Sequence, residues 1–426
     1  MTNSFFSDYK KEIFLFAGLF LIALSVISTM GSAFGIRMLV EASCYAILAL
    51  GLTIQWGYAG LFNAGVLGFV AMGGFMTMLV SYPTNPEFWD SDLPGQLGGV
   101  FFKLVVGIGL IVASVQLHRL NIPKKIRVPI TVITSAVVYL VVVSSLNPVA
   151  DAIESEAGFI GGLGLPVWMG WAMGGVVAGV IAYFIGHICL GLRSDYLAIA
   201  TLGIAEIIKA FLKNADWLTR GTLTVSPLPW PVPQPIDVGF VAARAAYLSV
   251  TALLIAIIFY LLTKAYRAPW GRMMRAIRDN ELSSAAMGKN VNGRRLEVFV
   301  LGSVLMGIGG AALTSFNGIF DPSGYIPLNH TFLVWVMVIL GGAGNNLGTI
   351  FGAVFVYIIW TMSEPVALYI FDVIRNLGEA WFDWEAPSDL DSRALQARVF
   401  VIGLTITLVL RFAPKGVIPE RIAQHS

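Results

Sequence analysis

Charge is what this sequence is shortest of. Asp, Glu, Lys and Arg make up 12% of its 426 residues, about half of the ~25% usual in soluble domains, while 57% are hydrophobic. That balance excludes a water-soluble globular protein. A formal net charge of +2 offers no electrostatic footprint for nucleic acid, because the basic residues are spread among short loops and not gathered on one face. Cysteine is nearly absent as well. Cys44 and Cys189 both lie in apolar runs, so neither a disulfide framework nor a thiolate metal site is expected. The four histidines, His118, His187, His330 and His425, fall on different segments without ligand spacing. There is no GxSxG elbow, no HExxH helix and no GxxxxGK[ST] phosphate loop. No catalytic residue, metal site or cofactor is expected, and if ATP drives this protein another polypeptide must hydrolyse it.

Apolar length is what the chain has in abundance. A hydrocarbon core ~30 Å thick needs roughly 20 apolar residues in a helix. Windows of about that size occur at 13–30, 38–55, 64–80, 98–116, 129–146, 168–187, 196–212, 239–262, 297–316, 332–362 and 398–410. They predict an all-α polytopic membrane protein, a single domain over 1–426, with about ten or eleven spans, some short or re-entrant. The 332–362 window is too long for one helix, and the run Gly341-Gly342-Ala343-Gly344-Asn345-Asn346 breaks it into two short arms. Lys10 and Lys11 ahead of the first window resemble a signal peptide, but no small-residue cleavage site follows, so the segment reads as a retained anchor.

Loop charge orients the spans. Lys and Arg collect on the cytoplasmic side of short loops, and segments 117–128, 264–297 and 411–426 hold fifteen of them. The alternate segments 83–95, 148–166, 214–238 and 364–397 contain three basic residues, Arg220, Arg375 and Arg393, against fifteen acidic ones. Both termini are therefore expected in the cytoplasm, with an acidic outer face. This needs an even number of crossings, which the broken window supplies if it passes twice or forms a re-entrant hairpin. In the outer segment 364–397, Trp381, Phe382 and Trp384 form either an aromatic belt at the lipid interface or a contact for a partner.

The most unusual segment is the basic stretch 264–297. Arg272, Arg275 and Asp279 recur at helical spacing, and a second short helix from Glu281 through Ala285 and Ala286 ends at Gly288, which suits a C-terminal cap. A basic loop lying on anionic lipid is the plain reading. Small residues on a short glycine-ended helix instead allow another protein's surface to approach closely.

Here the sequence resembles a known family. Glu281-Leu-Ser-Ser-Ala-Ala-Met-Gly288 resembles the coupling-loop signature of ABC importer permeases, and its surroundings resemble the branched-chain amino-acid permease family in particular. Three further stretches agree and occur in that family's order. They are Gly51-Leu-Thr-Ile-Gln-Trp-Gly-Tyr-Ala-Gly-Leu-Phe-Asn-Ala-Gly65, Leu192-Arg-Ser-Asp-Tyr-Leu-Ala-Ile-Ala-Thr-Leu-Gly203 with Glu206-Ile-Ile-Lys209, and the glycine run from Leu340 to Ala353. The likeness is nearest the longer of the two permease subunits. It implies an ABC importer architecture in a bacterial inner membrane. A periplasmic binding protein delivers the solute, a second permease completes the pathway, and two ATPase subunits dock on the cytoplasmic loop. It implies leucine, isoleucine and valine as cargo, while related systems carry urea, short amides or other amino acids. The sequence departs from the family in the outer loop after Trp217, which reads Leu-Thr-Arg220-Gly221-Thr-Leu-Thr-Val, and in the acidic segment 364–397.

Candidates for the pathway come from glycine and from polar residues inside spans. Gly57, Gly60, Gly65, Gly68, Gly73 and Gly74 crowd one region, and glycine serves either close helix packing or unwound backbone along a path. Asn63 is the polar contact of the second reading. Gly341, Gly342 and Gly344 carry the same two readings. Glu206 and Lys209 share a helical face, either as a self-neutralising pair or as a relay of the kind an ion-coupled secondary transporter uses. Tyr196, Thr201 and Glu206 complete the candidate pathway set.

Overall fold

The computed structural model describes residues 10–117, 123–382, 387 and 390–420. His118, Trp384 and His425 lie outside them. Backbone polar groups in hydrocarbon must be satisfied within the chain, which makes helix the default for each apolar window, and every window carries one. We label α1 Lys10–Met30, α2 Ser32–Leu52, α3 Val66–Ser81, α4 Leu93–Gln116, α5 Lys124–Glu156, α6 Val167–Cys189, α7 Ser194–Asn214 and α8 Phe240–Arg267. There follow α9 Pro269–Asp279, α10 Glu281–Ala286, α11 Val291–Asn317, α12 Leu333–Gly341, α13 Asn346–Phe382, α14 Leu390–Leu395 and α15 Ala397–Phe412. No named strand occurs among the described residues; two isolated bridges pair Thr84 with Gly161 and Val225 with Phe320.

Eight of the described helices are long and apolar enough to cross a membrane, and α3 and Leu328–Gly341 are shorter apolar helices. Helices α7 and α15 occupy the windows 196–212 and 398–410. The bridges, and the bond from Ile160 N to Trp217 O, gather the acidic connections at one end. Arg278 to Glu420 and Asn345 to Pro419 gather the basic ones at the other. The 332–362 window does break, α12 ending at Gly341 and α13 starting at Asn346. Helix α13 runs on without interruption through 364 to Phe382, with Pro365 inside it. At 1.5 Å per residue its 37 residues span about 55 Å, well beyond a hydrocarbon core of ~30 Å.

The core is built on α11, against which α2, α3 and α6 pack, with α3 also against α6, α8 and α13 against α2, α7 against α3, and α12 against α13. Glycine decides the closest of these contacts. A Cβ on Gly73 would sit 2.0 Å from Gly307 O, and one on Gly307 would sit 2.5 Å from Gly174 O. Small residues let helices in lipid approach to backbone contact, where dispersion replaces the hydrophobic drive that lipid does not supply. The α4–α5 pair forms a separate hairpin with its own small core around Leu97, Val149 and Ile153.

Candidate functional site: a coupling hub beneath an unwound helix

Two neighbouring features set the site at the basic end. The first is an interruption in α2, which passes through a π turn at Thr53–Tyr58 and then unwinds, so that α3 begins only at Val66. Backbone freed inside a membrane protein must find other partners, and here side chains supply them. Asn63 Nδ2 donates to Gln55 Oε1 at 2.7 Å, and Asn63 Oδ1 accepts from Gly65 N at 2.8 Å. Trp335 Nε1 donates to Asn63 O at 3.0 Å, and Ala64 N to Thr201 Oγ1 at 3.1 Å. Gln55 Nε2 in turn donates to Phe299 O and Ser303 Oγ. The backbone is thus unwound, while Asn63 and Thr201 are buried and occupied as its fasteners. The exposed ring of Phe62 covers them, 4.3 Å from Trp335.

The second feature is the basic loop. Pro269 opens α9, placed where its missing N–H costs nothing, and Gly271, Met274 and Ile277 bury one face of it. Asn280 Oδ1 accepts from Ser283 N at 2.9 Å, capping α10. Gly288 closes α10 at φ +75°. Gly288 N bonds Ala285 O and Lys289 N bonds Ser284 O, which together make a Schellman motif. Glu281 accepts from the buried Arg295 of α11 at 2.8 Å, and Arg275 lies over the Tyr266 ring at 4.5 Å. Arg272, Asp279, Ala285 and Ala286 face outward. Leu282 and Met287 are 82% and 80% exposed.

One arginine joins the two features. Arg278 Nη1 donates to Gly57 O, the carbonyl at the break, and pairs with Glu420 Oε2 at 3.0 Å. Its stem packs on Gly60, which sits at φ +68°. Gly344, at φ +86°, lies against Glu420 and Arg278, and a Cβ on Gly57 would meet Gly344 N at 2.4 Å. Gly341 and Gly342 hold the C-terminal tail, with Val417 N bonded to Leu340 O and Ile418 N to Gly341 O. Tyr266 donates to Glu420 as well, and burial pushes the Glu420 carboxyl up to about 7. Gly57, Gly60, Gly341, Gly342, Gly344 and the loop helices therefore meet in one place, although they are far apart in sequence.

Two candidates stand apart from it. Tyr196, at the start of α7, is 61% exposed and meets none of these residues in a recorded bond. Glu206 pairs with Lys209 at 3.6 Å on α7, where both are partly buried. That pair is not the only one within the spans, for Arg37 and Glu41 in α2 form another at 3.0 Å. Arg278 and Glu420 went unmarked in the sequence. Helical spacing selected Arg272, Arg275 and Asp279 and passed over the neighbour that faces inward, and nothing local ties Glu420 to it. For Glu41 a signal existed, a carboxylate inside an apolar window.

Comparison with known proteins places the chain. A family model described as branched-chain amino acid transport system / permease component matches residues 35–117 and 126–410. The high-affinity branched-chain amino acid transport system permease protein LivM of Escherichia coli (strain K12) is 26% identical over 211 residues, 45% of this chain and 49% of that protein. In that alignment the chain spans about half the length of its relative. The Salmonella typhimurium (strain LT2) protein of the same name is 24% identical over 336 residues, 71% of this chain and 77% of that one. The probable branched-chain amino acid transport permease protein LivM of Methanocaldococcus jannaschii is 23% identical over 389 residues, 88% and 91% of the two chains. No solved structure gives a significant match. With a match running from α2 into α15 through both the break and the basic loop, the chain belongs to the branched-chain amino acid transport system permease component family.

Proposed function

We propose that this chain is a permease subunit of an ATP-binding-cassette importer, forming with a second permease the inner-membrane pathway for branched-chain amino acids. ATP is hydrolysed on two separate subunits that dock on 264–297 from the cytoplasm, and a periplasmic binding protein delivers the solute to the acidic end. The observation that carries this reading is Arg278, which fastens an outward-facing loop helix to the carbonyl at an unwound span. A push on α9 and α10 from outside the membrane has a rigid route to the break. The exposed Leu282 and Met287, beside Ala285 and Ala286, give a protein partner an apolar contact. The names of the relatives support the solute class, and the positive-inside rule supports a cytoplasmic basic end and cytoplasmic termini. An ion-coupled carrier finds less support, since Glu206 is paired with Lys209 and no ion pair among the described residues links it to a further carboxylate.

Affinity purification through this chain tests the assembly. The second permease and two ATPase subunits are expected to copurify. Leu282→Asp with Met287→Asp is expected to release the ATPases and leave the second permease bound. A chain that purifies without any ATPase, or that carries its own ATP hydrolysis, overturns the proposal.

A further inference from the structure

The acidic half of the bundle holds a cavity of about 930 Å³, at the upper end of the ~300–1,000 Å³ typical of small-molecule sites. Its walls come from the first half of α2, the start of α8, the end of α11, the 319–330 connection, the middle of α13 and the start of α15. Neither Arg278, Glu420 nor Asn63 lines it, so it is separate from the coupling hub.

Its charge is balanced. Arg37, Arg244 and Arg398 line it together with Glu41, Asp321 and Glu364. Glu41 lies nine residues into α2, about 14 Å along the axis and so near the middle of a ~30 Å hydrocarbon core. Ionisable groups at that depth are costly and mark functional sites. Its side chain is 11% exposed, whereas that of its partner Arg37 is 57% exposed. Glu41 accepts from Arg37 Nε at 3.0 Å and from Tyr357 Oη at 2.5 Å, which uses about two of roughly four lone-pair positions on a carboxylate. A self-contained ion pair would leave nothing wanting, yet two residues on other walls of the cavity carry buried polar atoms without a hydrogen-bond partner. They are the acceptor Asn329 Oδ1 and the donor Arg398 Nε. Between the charges stand aromatic rings, Tyr45, Trp230, Phe316 and Trp360 among them.

We propose that this cavity is a binding site within this one chain for a free α-amino acid with an apolar side chain. The ammonium is held by Glu41 and Asn329, the carboxylate by the cavity arginines and the side chain against the rings. The proposal rests on the importer reading above and adds where in the chain the solute is held. An ammonium beside an anion is also the chemistry of an ethanolamine lipid headgroup, and the test separates the two.

Tritiated leucine is titrated onto the assembled permease–ATPase complex, without binding protein, in nanodiscs of phosphatidylglycerol alone. Saturable binding is expected, weakened at least tenfold by Glu41→Gln and severalfold by Asn329→Ala. If Glu41→Gln fails to assemble, Asn329→Ala and Tyr357→Phe decide. No saturable binding to the unmutated complex, or binding indifferent to these substitutions, overturns the proposal. So does leucine binding abolished by adding phosphatidylethanolamine to the nanodiscs, which assigns the cavity to a headgroup. Leucine uptake in cells keeps the two levels apart. Uptake that needs this chain while the complex binds no leucine removes the site and leaves the importer reading, and uptake indifferent to the chain removes both.

Discussion

Arg278 joins three stretches of chain far apart in sequence: the loop helix α9, the carbonyl of Gly57 and the tail at Glu420. Arg278→Ala is expected to lower leucine transport per ATP in proteoliposomes at least tenfold while the ATPases stay bound. Arg278→Lys should recover only part, because the compact, strongly hydrated ammonium replaces a planar, more weakly hydrated guanidinium at a half-buried site. Glu420 adds a pH signature. Its folded carboxyl titrates near 7, above the ordinary 4.5, because burial disfavours its charge. Between those values the folded state binds the proton more tightly than the unfolded chain. Stability should therefore fall as pH rises from about 4.5 to about 7, and level off above. Thermal unfolding of the purified complex across that range checks this, and Glu420→Gln should flatten the slope. Sequence reasoning reached the outward residues of the loop and missed Arg278, since periodicity reports a face but not what lies opposite it.

At the scale of elements, the breaks are the informative places. Gly57 and Gly60 sit at the break and Gly342 and Gly344 in turned backbone, whereas Gly68, Gly73 and Gly74 lie inside α3 at close helix contacts, and Gly57 and Gly344 touch because neither has a Cβ. Gly57→Ala would place a methyl 2.4 Å from Gly344 N. The expected outcome is a loss of stability of about 1–3 kcal/mol from overpacking, read as a lowered melting temperature. Gly288→Ala meets no neighbour and has only its φ of +75° to bear, about 1–2 kcal/mol for a left-handed residue. It should leave the bundle's melting temperature unchanged and loosen α10, weakening ATPase retention severalfold in pull-downs. The division of 332–362 and the cap at Gly288 were legible because glycine is a local signal. The fastening of 59–65 was not, for its partners Thr201 and Trp335 come from α7 and α12, and Gln55 is itself anchored on Phe299 and Ser303 of α11. Nor did Pro365 end α13, although proline usually marks a boundary.

Across the whole molecule, composition carried most of the architecture: apolar windows that each hold a helix, and no named strand among the described residues. The cavity walled by α2, α8, α11, α13 and α15 was illegible, because each charge in it looks isolated in its own window and only packing assembles them. Orientation has a direct check, since the native Cys44 and Cys189 are both buried. Asp92→Cys should react with a membrane-impermeant maleimide in intact cells, and Ser283→Cys only after the membrane is opened. The central claim, that ATP hydrolysed elsewhere drives a branched-chain amino acid through this chain, is tested most directly by uptake. Labelled leucine and labelled urea are offered to cells with and without the chain, before and after ATP is depleted with the membrane potential held. The account predicts leucine uptake that requires both the chain and ATP. Uptake that survives ATP depletion and follows the ion gradient would contradict it.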